Sequence, residues 1–241
     1  MTRMAAGRTT HLTVDEIVGT ALELFDEDTT EFSMRTLAGR LKVSPAALYH
    51  HFEKQGDLIA AVVTKVWEEV VAEYLTMVDD PFGPGVDPID VLVAGAVSAR
   101  RAFDRHPRVA PHIAVPVSPG DSRLAGALTA FGFLLERLGL KGDEVGEALY
   151  AYSTYVLGSV LLSAQRQLND RAADRSAADQ RYSVVIDRPA DAPPVSDATT
   201  AAIDRTVNVA RSDAEEAIFV SGLRCLLSGL VHHFGTLACT T

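Results

Sequence analysis

Apolar positions recur at helical spacing along almost the whole chain. Val14, Ile17, Val18, Ala21, Leu24 and Phe25 repeat at i, i+3 and i+4 and predict a first amphipathic helix. Thr13 precedes it, with Glu16 three residues on, the spacing of a capping box. Asp26-Glu27-Asp28 places acids at the negative end of that helix, which helps it stop there. Ser33 is the next N-cap candidate, followed by a short helix over Met34 to Arg40 with Leu37, Ala38 and Leu41 on its apolar side. Leu41-Lys42-Val43 is long enough only for a turn. Ser44 then caps a third helix, and Pro45 falls at its first position, where a missing N–H costs nothing. Val43 before the cap and Leu48 within the helix form a hydrophobic staple. Phe52 to Gly56 ends this helix, and Asp57 leads into a long one. Its apolar stripe runs from Leu58 through Val62, Val66, Trp67, Val70 and Tyr74 to Val78.

A Pro- and Gly-rich loop over Asp79 to Pro88 closes the first half. Beyond it the pattern predicts helices over residues 89–106, 122–138, 143–168 and 213–234, with a short piece at 108–115 between prolines. Residues 169–209 are poor in core side chains and read as a long, loosely ordered connection, with some helix near 200–210. Tyr182 to Ile186 within it reads as a short strand or a docked segment. With no series of strands and no internal repeat, the fold class is all-α. Residues 1–12 read as a flexible basic arm carrying Arg3 and Arg8.

Composition agrees with a helical domain of ordinary core size: 47% of the 241 residues are hydrophobic and only 7% aromatic. The net charge of −10 argues against a nonspecific nucleic-acid coat or a binder of anionic membranes. Cys225 and Cys239 offer neither metal spacing nor a disulfide framework, which favours a reducing, cytoplasmic setting. The first residues lack the apolar core of a signal peptide. The apolar run Ala148 to Ala164 is broken by Tyr150, Tyr152, Ser153 and Ser159 and reads as a buried or interface helix of a soluble protein, so no membrane partner is expected.

The charge is unevenly placed. Residues 15–31 carry seven acids and no base, whereas Ser33 to Gln55 carries Arg35, Arg40, Lys42 and Lys54 against the single acid Glu53, a net of +3. The positive segment is the pair of short helices joined by a tight turn, a helix-turn-helix pattern. On the second of them, Leu48 and Phe52 face inward. Ala46 and His50 lie on the opposite side, flanked by Ala47 and Tyr49, with Pro45 and His51 at the border of the core. Small residues let a helix N-terminus approach base edges, while Tyr49 and His51 suit phosphate oxygens.

The run Phe32 to Leu58, "FSMRTLAGRLKVSPAALYHHFEKQGDL", resembles the DNA-binding domain of TetR-family transcriptional regulators, and the capped first helix and long fourth helix extend the likeness to about residues 13–78. The resemblance implies a DNA-binding domain over 13–57, with Ser44, Pro45, Ala46, Ala47, Tyr49, His50 and His51 at the operator. Arg35, Thr36, Lys42, Lys54 and Gln55 complete the candidate contact set. The family usually places Lys where Gln55 stands; here it is one residue earlier, at Lys54. The resemblance also implies that 58–241 is a helical ligand-binding and dimerisation domain. Trp67, Arg101, Phe103, Phe131, Tyr152 and Tyr155 are its candidate pocket residues, and the few aromatics suggest an apolar effector. Gly158, Leu161, Leu162, Gly222, Leu226, Gly229 and His233, on the two long apolar helices, are the candidate dimer interface. Plain core helices are the competing reading of those seven.

No G-x-S-x-G, P-loop, dinucleotide fingerprint or H-E-x-x-H pattern points to an enzyme. His50-His51 and His232-His233 are adjacent pairs whose side chains diverge by about 100° on a helix, so neither pair chelates a metal. No metal and no cofactor are expected. The expected function is a ligand-responsive regulator, a homodimeric repressor of a palindromic operator that a small molecule releases. The alternative is a helical protein-interaction module or a motif-less enzyme without DNA binding.

Overall fold

A computed structural model of the chain describes residues 12–27, 32–113, 122–175, 196–208 and 213–237. The described residues form nine α-helices and one 3-10 turn, with no strand. The arm carrying Arg3 and Arg8, the segment Tyr182 to Ile186, and Cys239 lie outside them.

α1 (Val14–Asp26) starts from the expected capping box: the Glu16 amide donates to the Thr13 hydroxyl at 3.2 Å and the Thr13 amide donates to the Glu16 carboxylate at 2.9 Å. α2 (Met34–Leu41) is capped by Ser33, and Thr36 completes a second reciprocal box. The turn after α2 depends on Lys42, whose φ of 58° is left-handed. That geometry lets the Lys42 and Val43 amides reach the Gly39 and Ala38 carbonyls. α3 (Pro45–Tyr49) is five residues long, capped by Ser44. Leu48 is fully buried and Phe52 nearly so, and these two side chains anchor α3 to the headpiece core with Ile17, Leu37 and Leu58.

α4 (Gln55–Met77) begins two residues before Asp57, the residue from which the sequence pattern starts it. Asp57 acts from inside the first turn, accepting from the Lys54 amide at 3.0 Å. The boundary expected at 57/58 therefore falls within a continuous helix. α5 (Pro88–Arg105) starts from Asp87, whose carboxylate accepts from the Ile89 amide at 2.8 Å. A 3-10 turn, Ala110–His112, follows in place of the short piece expected over 108–115. Then come α6 (Ser122–Arg137), α7 (Asp143–Arg175), α8 (Asp197–Asn208) and α9 (Asp213–Leu237). The connection expected from residue 169 is thus helical at both ends: α7 runs on to Arg175, and α8 begins before residue 200.

α5 is the hub, packed against α4, α6, α7 and α9. Its buried face is small and β-branched, with Val91, Val93, Ala96, Val97, Ala99 and Ala102. Arg100 is also buried there. It pairs with Glu215 of α9 at 2.6 Å and Asp104 at 3.6 Å, donates to Ser159 of α7 at 3.0 Å, and lies over the Phe219 ring. A guanidinium at that depth is tolerable only with such pairing, so the network ties α5, α7 and α9 together. Burial pushes the Asp104 carboxyl above its ordinary range, against the pull of the Ser163 hydrogen bond and Arg100.

Candidate functional site

The headpiece presents one polar surface. Arg35, Thr36, Lys42, Ser44, Pro45, Ala46, Tyr49, His50, His51, Lys54 and Gln55 are all exposed, and Ala47 is half-buried. Pro45 and His51, expected at the border of the core, stand clear of it. The reason is that α3 stops at Tyr49. The His51 and Phe52 amides both close on the Leu48 carbonyl at 3.0 Å, so His50 and His51 ride on a turn while Phe52 drops inward. Arg40, by contrast, reaches back to Glu27 at 2.6 Å and shields the acidic end of α1. The surface thus keeps Arg35, Lys42 and Lys54 as its cations, with α3 entering at its centre and α4 starting at its edge.

The acidic end of α1 has further partners that lie far away in sequence. Nδ1 of His106, the residue that ends α5, is 2.9 Å from Asp26, and its Nε2 is 3.2 Å from Glu69 of α4. With a carboxylate at each ring nitrogen, the imidazolium is the form that satisfies both. Its pKa is raised, first by the Asp26 hydrogen bond. Arg108 donates to the Glu27 carbonyl, and Arg105 pairs with Glu73 at 3.0 Å and Glu69 at 3.3 Å. The end of α5 therefore clamps α1 to α4, and so joins the headpiece to the larger domain.

Below the headpiece lies a cavity of about 960 Å³. One stripe of α4 walls it: Asp57, Ala60, Ala61, Thr64, Trp67, Glu68 and Val71. Gly95, Ala96 and Ala99 of α5, Phe131 of α6 and Tyr152 and Val156 of α7 supply other walls. Tyr152 donates its hydroxyl to the Leu92 carbonyl at 2.8 Å and leaves its ring beside Phe131, 5.1 Å between centroids. Burial drives the Tyr152 phenol pKa upward. Of the six pocket candidates, Trp67, Phe131 and Tyr152 are on the wall and the other three are not. Phe103 is core, edge-on behind Trp67 at 5.4 Å. Arg101 points outward to Glu216 at 2.6 Å and Glu73 at 3.6 Å. Tyr155 faces α9, donating to the Phe219 carbonyl at 3.1 Å. These three sit on helices that wall the cavity but face away from it. The alanines and glycine of α5 that make room for the cavity carried no signal of their own, because small residues on a helix read equally well as close packing.

A helix-turn-helix headpiece joined by a shared helix to a hollow helical domain has known counterparts. Residues 17–62 match the family model described as bacterial regulatory proteins, tetR family. Residues 86–233, more than half of the chain, match that of the tetracyclin repressor-like C-terminal domain. The chain belongs to the TetR family. It is accordingly a ligand-responsive, DNA-binding transcriptional regulator and not an enzyme. The tetracycline repressor protein class A from transposon 1721 of Escherichia coli is 28% identical over 222 residues, covering 92% of this chain and 91% of that protein. Among solved structures, the TetR-family protein ActR of Streptomyces coelicolor, in complex with actinorhodin, superposes with a TM-score of 0.67 at 26% identity, over 94% of this chain and 99% of that one. TetR from Acinetobacter baumannii AYE gives 0.64 at 25% identity, over 92% and 98%.

TetR-family regulators dimerise, and α7 and α9 of this chain leave apolar side chains exposed. Leu161 and Leu162 of α7 and Ile218 of α9 are exposed in the single chain, as are Gly229 and His233. Gly158 and Leu226 are half-buried. Gly222 serves a different contact: the Tyr155 hydroxyl occupies the space where its side chain would be. Its smallness answers to packing between α7 and α9 of one chain. Residues Glu215–Gly235 are long and apolar enough to span a bilayer, with mean hydropathy 1.4, yet only 22% of that stretch is buried within the chain. The longest uncharged apolar run of the sequence, Ala148 to Ala164, lies on α7, and this second apolar stretch lies on α9.

Proposed function

We propose that this regulator is a cytoplasmic homodimeric repressor whose two α3 helices read a palindromic operator, and that a small molecule in the α4-walled cavity releases it. In this reading Ala46 and His50 meet base edges at the centre of the exposed face. Ser44, Tyr49, His51, Lys54, Gln55, Arg35, Thr36 and Lys42 hold phosphates around it. The exposed faces of α7 and α9 pair with those of a second copy.

The observation that carries the proposal is the double use of α4. Its first residue, Gln55, lies on the exposed polar surface, and the stripe from Asp57 to Val71 walls the cavity. A molecule filling the cavity must shift or fix that stripe. Because α4 is continuous, the displacement reaches Lys54 and Gln55 and changes the spacing of the two α3 helices. ActR bound to actinorhodin, a relative of similar fold, supports a small-molecule effector for this chain. Selection from a random duplex pool tests the reading. The expected product is a palindrome whose half-sites lie about one DNA turn apart, roughly 34–36 Å, or a small multiple of it. Recovery of no enriched sequence would sink it.

A further inference from the structure

The charges on the cavity wall narrow the class of molecule it takes. Of its twenty described lining residues, two are carboxylates, Asp57 and Glu68, and none is Lys, Arg or His. Glu68 has a surface partner in Lys65 at 3.5 Å, but Lys65 is not on the wall. Asp57 accepts from the Lys54 amide through one carboxylate oxygen at 3.0 Å. The rest of the wall is aliphatic or aromatic, apart from Thr64 and Ser153. Thr64 directs its hydroxyl to the Ala60 carbonyl at 3.0 Å and so offers little to a ligand. An anion entering this space would lose hydration and find no counter-charge among the described lining residues. A cation would find a carboxylate at one end of the α4 stripe, Asp57, or further along it, Glu68, and the ring faces of Trp67, Phe131 and Tyr152.

We infer that the cavity takes a flat aromatic cation, with its positive group at the Trp67–Glu68 end and its rings against Phe131 and Tyr152. This rests on the proposed effector role of the cavity and specifies the effector's charge. Trp67 is fixed for the task, because Phe103 supports its ring from behind. It is also the only tryptophan in the chain, so its fluorescence reports occupancy directly.

The test titrates the full-length protein, without DNA, with two dyes on one xanthene frame: rhodamine 6G, a cation, and fluorescein, a dianion. Rhodamine 6G is expected to quench Trp67 with a Kd at least about tenfold below that of fluorescein. Glu68→Gln should shrink that ratio by weakening the cation and not the anion. Equal affinities, a preference for fluorescein, or quenching by neither dye overturns the inference, as does a ratio unchanged in both Glu68→Gln and Asp57→Asn. Adding operator DNA separates the two claims. A dye that binds with the expected preference but leaves the DNA complex intact supports the charge selectivity and contradicts effector-driven release.

Discussion

At the scale of single residues, the signals that were legible are those whose partners lie within one turn. Thr13 with Glu16, Ser33, Ser44 with Pro45, and the Val43–Leu48 staple are all short-range, and each fixes a helix start. The contacts that were illegible join distant parts of the chain. Nothing near Asp26 announces His106, yet that pair does much to hold α1 to α5. The clamp gives a pH signature. The folded pKa of His106 is raised above its ordinary value near 6.5, so its contribution to stability is complete below that value. It is lost as pH rises through the higher folded value. In thermal unfolding, the gap between wild type and His106→Gln should therefore be widest at acid pH and narrow above neutrality; a gap independent of pH would contradict the clamp. Lys54 makes a second residue-scale prediction. If it holds a phosphate in place of the family's usual Lys at position 55, Lys54→Ala should lower the salt slope of operator binding by about one. An unchanged slope would move that contact to Gln55 or the α4 amides.

At the scale of elements, periodicity located every long helix, because each must bury one face. Ends were less clear. α7 passes Leu168 because Gln165, Asn169 and Gln167 bond to each other or to Asp104 instead of to an apolar neighbour, a polar mode of support that hydrophobic spacing does not show. α4 was read as starting at Asp57 because an acid before a helix and an acid in its first turn look alike in sequence. The cavity was half legible: the helices that wall it were identified, but rotation about each helix axis decided which aromatic faces it. The α7–α9 contact allows a direct check. Gly222→Ala would press a methyl against the Tyr155 hydroxyl and should destabilise the fold by about 1–3 kcal/mol. In a Tyr155→Phe background the cost should fall, since the blocking oxygen is gone; equal costs in both backgrounds would mean that α7 and α9 meet elsewhere.

At the scale of the whole molecule, the net charge of −10 proved a poor guide to partners. The acids concentrate at the end of α1 and elsewhere in the chain, and much of that charge is paired internally, as with Asp26, Glu69, Glu73 and Glu215. The headpiece surface stays locally positive. The exposed apolar face of α7 and α9 carries the assembly claim. Leu162→Asp places a charge on it without disturbing the chain's own core, because Leu162 is 60% exposed. Sedimentation should then show a monomer with intact helical content and strongly weakened operator binding. A dimer of unchanged stability would place the interface on another surface.

The central claim is that the exposed α3 face reads DNA sequence. Its most direct test is the affinity of wild type and His50→Ala for the selected operator, measured at several salt concentrations with the oligomeric state monitored. The predicted result is a loss of about tenfold or more at every salt concentration, equivalent to roughly 1–3 kcal/mol, from a variant that remains folded and dimeric. Equal affinity of the two proteins across the whole salt range would contradict the account.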